Sequence, residues 1–339
     1  AARTRQRVLQ YLPYLAAAGI EVAVHPLLDD AYVRALASGA GPSRAAIAAA
    51  YARRFAQLLK VEADGIWVYA ELFPWLPAPF ERLAFRSGAP LIYDFDDAFF
   101  HPYDDHPRPL VRRLLGGKLK PLIRGAASVC AGNDYLKDYA DRAGASAIVL
   151  PTVVDIDRYV PAATRPGRAP TIGWIGSPST WKFVRPLLPL LASLCRDHGL
   201  RFAAVGAGAG AAGDRFAGLD LIDWSEDGEI AAVQAMDIGI MPLPDEPWAR
   251  GKSGYKLVQY MACGLPVVAS PVGVNTTIVR DGETGLLATD TDQWGQALTR
   301  LIDDHQLRST MGRAGRARAV QSYSLQAHAP RLIDAIRGG

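Results

Sequence analysis

The chain has 339 residues, 50% hydrophobic and 21% charged, with 32 Gly, 24 Pro and a formal net charge of +3. That is enough chain for two ordinary domains, each with its own core, and its mixed charge excludes a nucleic-acid footprint. Three cysteines in apolar contexts, Cys130, Cys195 and Cys263, point to buried thiols in a reducing compartment instead of a disulfide framework. No run reaches transmembrane length and no signal peptide is visible.

Val8, Leu9, Leu12 and Leu15 repeat at helical spacing, and Gly19 ends that helix before a predicted strand at 20–24. The chain opens directly in this helix pattern, so a first strand and its loop are expected to be missing. Arg3, Arg5 and Arg7 stand near the helix start, either as anion contacts or simply solvated. A long helix over 43–59 precedes predicted strands at 65–69 and 90–93. Each strand is followed by an acidic loop. The first holds Glu71 among Phe73, Pro74 and Trp75; the second holds Asp94, Asp96 and Asp97, then Phe99 and Phe100.

Loops at the C-terminal ends of strands are where an α/β sheet places its chemistry. Three aspartates so close repel unless hydrogen bonds, a cation or substrate hydroxyls hold them. His101, Asp104 and His106 lie just beyond, yet the spacing matches no oxygen cage or zinc pattern. Binding of sugar hydroxyls, or a role as base or charge stabiliser, is a stronger reading than a metal site, and helix capping by Asp96 or Asp97 the plainer one. Helices follow over 109–124, where Arg112, Arg113, Lys118 and Lys120 suggest a basic face, solvated or in peripheral contact with a membrane. After a strand at 127–131, Asn133 is a helix cap by default. The strand at 147–150 leads into a Pro/Arg/Gly-rich stretch without periodicity, which puts the domain boundary near Thr164.

The pattern then restarts with a strand at 171–175, a polar loop from Gly176 to Lys182 and a helix over 183–195. A strand, glycine loop and helix set backbone N–H groups against phosphate, and Lys182 adds a point charge. The G-x-G-x-x-G at Gly208, Gly210 and Gly213 lacks the following helix that a dinucleotide site needs. An acidic loop from Asp223 to Glu229, a helix and a strand at 238–241 come next. The stretch WARGKSGYKLVQYMACGLPVVASP then reads as a loop, a helix over 255–262 capped by Ser253 or Gly254, a turn at Gly264 and a buried strand at 267–269. Lys252, Lys256 and Gln259 share a stripe at i, i+4 and i+7, an anion site or an ordinary solvated face. Amphipathic helices over 293–305 and 307–322 and a last helix over 325–336 close the chain.

The order IGWIGSPSTWK, then DIGIMPLPDEPWARGKSGYKLVQYMACGLPVVASPVGVN, then VRDGETGLLA, resembles the donor half of GT-B glycosyltransferases. It is most similar to family 4, retaining enzymes that use nucleotide sugars and build, among others, bacterial glycans. RVLQYLPYLAAAGIEV agrees more loosely with that family's first helix and second strand. The resemblance implies two Rossmann-like doubly wound domains facing a cleft: residues 1–164 for the acceptor, 165–322 for the nucleotide sugar, and a C-terminal helix from 323 crossing back to the first. It implies transfer of a sugar to an acceptor hydroxyl with retention, needing no metal and no cofactor besides the nucleoside diphosphate sugar. The protein would be cytoplasmic, with peripheral membrane contact left open, and the acceptor a sugar, lipid-linked glycan or small molecule.

Carried over residue by residue, Lys182 matches the family's diphosphate lysine, while the arginine usual five positions earlier is Ser177. The family's E-x7-E pair falls on Gly251 and Gln259, so both glutamates are absent. Lys252 and Lys256 resemble a K-x-x-x-K variant in which Lys256 replaces the missing arginine's charge. Gly176, Ser177, Lys182, Lys252, Ser253 and Lys256 are therefore the diphosphate candidates. Gln259, Asn133 and Glu229 are candidates for ribose and sugar hydroxyls, and Thr152 stands where the family has asparagine. Glu71, Asp94, Asp96 and Asp97 are the catalytic candidates. Other readings stay open: an epimerase or cyclitol-type transferase on the same fold, or a binding module that has lost catalysis with its glutamates.

Overall fold

A computed structural model describes residues 2–29, 32, 35, 41, 43–162 and 169–338. The expected boundary at Thr164 lies outside the described residues. The chain divides into two compact units. Unit 1 holds residues up to Thr152, the short stretch Gly251–Ser253 and everything from His328; unit 2 holds Val153–Arg250 and Gly254–Ala327.

Unit 1 is a parallel sheet of four strands in the order β1 (Ile66–Tyr69), β2 (Leu91–Phe95), β3 (Ser128–Ala131) and β4 (Ala147–Val149). β2 is buried along its whole length, as a strand flanked by neighbours and covered on both faces must be. The predicted strand at 20–24 is not formed. Among the described residues, nothing pairs with it, and Glu21, Ala23 and Val24 are exposed. Its alternation fits a half-buried strand, but alternation without a neighbouring ladder leaves only extended chain. The first helix is also broken, into Ala2–Arg7, a 3-10 turn Leu9–Tyr11 and Leu12–Ala17; Pro13 supplies no N–H to continue the ladder.

Unit 2 is a parallel sheet of six strands: β5 (Thr171–Ile175), β6 (Arg201–Val205), β7 (Leu219–Ile222), β8 (Ile238–Met241), β9 (Val267–Ala269) and β10 (Gly285–Leu287). Their spatial order is β10-β9-β8-β5-β6-β7. The order reverses between β5 and β8, a doubly wound topology whose switch point opens a crevice beyond the strand ends. The register shows the opening. β5 pairs with β6 from Thr171 to Ile175, but with β8 only at Ile172 and Gly173. Beyond Gly173 the two strands part, and the N–H of Ile175 donates instead to the Tyr260 hydroxyl at 2.9 Å.

Tyr260 lies on the helix Tyr255–Ala262, whose residues from Leu257 on are all buried. A helix apolar nearly all round is a core element. Its start is Gly254, held at φ 67°, a left-handed conformation that glycine alone adopts at little cost. The turn takes Lys252 off the helix, so the i, i+4 spacing does not relate it to Lys256. The polar loop after β5 is also shorter than expected. Pro178–Trp181 is a turn of helix with a capping box between Ser177 and Thr180, and Pro186 and Pro189 delay the next long helix to Leu188–His198. Lys182 thus stands at the end of a short helix and not at the start of a long one.

Candidate functional site

In unit 2, the loop after β5 and the helix Tyr255–Ala262 meet at the switch point. The Lys256 ammonium lies 4.9 Å from the centre of the Trp174 ring and donates to Thr180 Oγ1 at 3.5 Å. Trp174 is buried in β5, so its face is a fixed support for the cation. A Cβ on Gly176 would lie 2.3 Å from that ring and 2.9 Å from Lys256 Nζ. Only glycine leaves this corner open. The Gly176 N–H goes to Val205 O at 2.9 Å and the Ser177 N–H to Thr180 Oγ1 at 3.2 Å. With these two donors engaged, the half-buried Lys256 ammonium brings positive charge to the corner. Lys182 is exposed, its ammonium 5.0 Å above the Phe183 ring.

Behind Lys256, Glu229 accepts hydrogen bonds from Tyr159 Oη, from Trp224 Nε1 at 2.8 Å and from Gln259 Nε2 at 3.0 Å. Gln259 Nε2 also reaches Tyr159 Oη at 3.0 Å. Glu229, Gln259 and Tyr159 are buried, and three donors compensate the carboxylate for lost water. Burial and the adjacent Glu229 push the Tyr159 phenol well above its ordinary value. The sequence offered Glu229 and Gln259 separately; Tyr159, seventy residues from Glu229, joins them without any local signal.

In unit 1 the four acidic candidates have different partners. Asp94 lies inside β2, paired in register with Tyr69 and Cys130, not in the loop expected after the strand. An acid is tolerated there because Arg7 meets it: Nη2 is 2.6 Å and Nε 2.8 Å from Asp94 Oδ1, and Nη1 donates to Leu150 O at 2.6 Å. Both side chains are wholly buried. Burial pushes Asp94 up to about 6, with Arg7 pulling the other way. Asp96 accepts from Tyr69 Oη at 2.7 Å and from Thr152 Oγ1 at 3.0 Å. Asp97 accepts from the Ala98 N–H at 3.2 Å and lies 4.0 Å from Lys252 Nζ.

Glu71 accepts from Tyr103 Oη and Lys118 Nζ, each at 2.7 Å. Lys118 also lies 3.0 Å from Glu81, which in turn accepts from the N–H groups of Leu72 and Phe73. Burial raises the Glu71 carboxyl and Lys118 opposes the shift. Lys118 therefore leaves the expected basic face and turns inward, where it pairs with both carboxylates and supplies the positive charge between them. Ala70 and Trp75, on either side of this loop segment, hold φ of 65° and 63°, backbone strain that the Glu71–Lys118–Glu81 brace sustains.

Asn133 caps the helix Asp134–Arg142 by accepting the Leu136 N–H at 3.0 Å, and its amide donates to Gly251 O at 3.3 Å and Lys252 O at 3.0 Å. It thereby ties down the stretch that carries Lys252 and the half-buried Ser253. His101 is engaged by Asp104 at 2.8 Å and Tyr135 Oη at 2.7 Å. Among the described residues, no group of three or more His, Cys, Asp or Glu is arranged to hold a metal ion. The three cysteines are buried and free, and burial pushes Cys130 and Cys263 up to about 12.

Residues 169–304 match the family model described as Glycosyl transferases group 1. Among curated proteins, a D-inositol 3-phosphate glycosyltransferase of Corynebacterium jeikeium is 28% identical over 214 residues, 54% of this chain and 50% of that protein. The enzyme of the same name from Kineococcus radiotolerans is 30% identical over 276 residues, 69% of this chain and 61% of that protein. The chain thus aligns with about half the length of these relatives. Among solved structures, sucrose-phosphate synthase of Thermosynechococcus elongatus superposes with a TM-score of 0.73 at 18% identity, covering 97% of this chain and 92% of the other. HepE of Anabaena, solved with UDP-glucose, gives 0.68 at 18% identity, covering 96% and 88%.

Proposed function

The chain is a GT-B-fold protein with a group 1 glycosyltransferase domain at residues 169–304, and from this we propose that it transfers a sugar from a nucleoside diphosphate sugar to an acceptor hydroxyl. The observation that carries the reading is the Lys256 ammonium on Trp174 beside Gly176, a cation fixed at the mouth of a doubly wound switch point. In this reading Lys256, with Lys182 and the Gly176–Ser177 loop, binds the donor diphosphate. The ammonium gains most as the leaving diphosphate takes on charge, which favours the transition state over the bound substrate. Glu229, oriented by Gln259 and Tyr159, accepts from ribose hydroxyls, taking the place of the carboxylate that Gln259 lacks. Retention and metal independence belong to the same proposal.

The acids of unit 1 divide by partner. Asp94 is neutralised by Arg7 within the sheet, so it holds the sheet and does not touch substrate. Glu71, Asp96 and Asp97 remain to orient the acceptor hydroxyl or to stabilise positive charge on the sugar ring. A melting panel with UDP-, GDP-, TDP- and ADP-sugars, with and without a divalent cation, identifies the donor, because ligand binding to the folded state raises Tm by mass action. UDP-glucose comes first, since HepE is held with it. Lys256→Ala is expected to weaken donor binding about tenfold or more, the worth of a charge-assisted hydrogen bond. Unchanged donor affinity and turnover in that variant would remove Lys256 from the diphosphate site. The anomeric configuration of the product, read by NMR, tests retention.

A further inference from the structure

Beside the helix Asp134–Arg142 of unit 1 lies a concavity of about 520 Å³, walled chiefly by Phe100, His101, Asp104, Lys120, Tyr139 and Arg142. None of Glu71, Asp94, Asp96 and Asp97 lines it. The carboxylate in the wall is already matched. Asp104 Oδ1 lies 2.8 Å from His101 Nδ1, and His101 Nε2 meets the hydroxyl of Tyr135, also in the wall, at 2.7 Å. Both ring nitrogens are thus engaged. Lys120 and Arg142 have no such match: both are exposed, and among the described residues neither has a hydrogen-bond or ion-pair partner. Tyr139 is 7% exposed and lies flat against Phe100, the ring centres 3.6 Å and the planes 2° apart, so its position is fixed. Its hydroxyl is buried without a hydrogen-bond partner among the described residues, an unfavourable state for a group cut off from water. Asp104 and Arg142 are the charges that act on this phenol, so its polar end faces the concavity that they line. Burial holds the phenol well above its ordinary value, which keeps it a proton donor.

We propose that this concavity binds a phosphomonoester, whose terminal oxygens accept from Tyr139, Arg142 and Lys120. An oxyanion is the ligand that answers an orphaned donor set among two unmatched cations. A carboxylate brings one charge and two oxygens. A phosphomonoester brings a charge of about −1.5 to −2 and three acceptor oxygens, which matches two cations and a hydroxyl. The volume of about 520 Å³ lies within the roughly 300–1,000 Å³ of small-molecule sites, so the group that carries the phosphate has room beside it. The Tyr139 hydroxyl gains the partner that the fold denies it, and its fixed ring costs little further ordering on binding. The site is made of unit 1 residues, whereas Lys256, Lys182 and the Gly176–Ser177 loop belong to unit 2. It stands whether or not a sugar is transferred there.

The test is titration calorimetry of the whole protein with inorganic phosphate, glucose 6-phosphate, glucose and glucuronate. Inorganic phosphate reports the anion alone, and the three sugars differ in carrying phosphate, hydroxyl or carboxylate at C6. Binding of both phosphates, with glucose and glucuronate far weaker, is the expected result. Tyr139→Phe and Lys120→Gln/Arg142→Gln each weaken phosphate binding about tenfold, as loss of hydrogen bonds to a charged group does. Lys256→Ala leaves it unchanged. Tyr139→Phe keeps the ring on Phe100 and removes only an unpartnered hydroxyl, so its Tm without ligand does not fall. Failure of both phosphates to bind, or glucuronate binding as tightly as glucose 6-phosphate, overturns the proposal. So does phosphate binding that falls in Lys256→Ala but in neither unit 1 variant, which would put the anion at the Trp174 corner. A lowered Tm of ligand-free Tyr139→Phe overturns it too, because the hydroxyl would then have a partner within the fold.

Discussion

Arg7 and Asp94 are wholly buried and answer each other's charge across 87 residues of sequence. Nothing near either residue announces the other, which is why Asp94 reads locally as part of an acidic loop and Arg7 as one of several arginines near a helix start. The pair also makes a sharp prediction. In Arg7→Met the guanidinium is gone and burial acts on Asp94 unopposed, so its carboxyl rises further above the value of about 6 it has beside Arg7. A group whose folded pKa is raised contributes stability that is complete below the unfolded value near 4 and is lost as pH rises through the folded value. Native protein finishes losing this contribution near pH 6, and the variant goes on losing it above. The stability gap therefore widens above about pH 6, toward roughly 3–5 kcal/mol for an uncompensated buried charge. Urea unfolding from pH 5 to 8 measures it; a gap independent of pH would show that Asp94 does not respond to Arg7.

Elements set by local chemistry are legible in the sequence. Gly254, Gly264 and the apolar run after Pro266 bound the helix Tyr255–Ala262 and the strand Val267–Ala269 as their residues suggest. What stays hidden is adjacency. No spacing says that β5 neighbours β8, or that the strands part beyond Gly173 so that a tyrosine must accept the N–H of Ile175. The segment 20–24 shows the converse, a strand pattern with no neighbour among the described residues to complete it. Likewise Lys118 looks like one more surface cation until Glu71 and Glu81 are seen beside it. Tyr260→Phe tests the switch-point bond. It keeps the ring and its packing but leaves a buried N–H without an acceptor, a loss of about 1–3 kcal/mol. Because Ile175 directly precedes Gly176, the variant is also expected to bind donor more weakly than its lost stability explains, and titration calorimetry on folded protein separates the two. Full stability in Tyr260→Phe would mean that water takes over the bond.

At the scale of the whole molecule, unit 1 is assembled from three stretches, the last beginning at His328. That segment carries structural weight. Leu332 and Ala329 are buried, Arg331 donates to Val149 O at the end of β4 at 2.9 Å, and Arg337 donates to Ala18 O at 2.6 Å. Unit 2 has its own sheet and clusters of buried residues, and Glu229, Gln259, Thr180 and Lys256 all belong to it. Removing residues 328–339 is therefore expected to damage one unit only. Leu332 alone accounts for about 2–3 kcal/mol of burial, so amide exchange should accelerate in β3 and β4 while β5, β8 and β9 keep their protection. If the proposed donor groups on the helix Tyr255–Ala262 and the loop after β5 bind a nucleotide sugar, that binding should survive the truncation, because they belong to unit 2 and the deleted segment to unit 1. Exchange rising equally in both sheets would show instead that the two units unfold as one cooperative body. Intact β4 protection would show that the hydrogen bonds of Arg331 and Arg337 contribute nothing to holding unit 1 together.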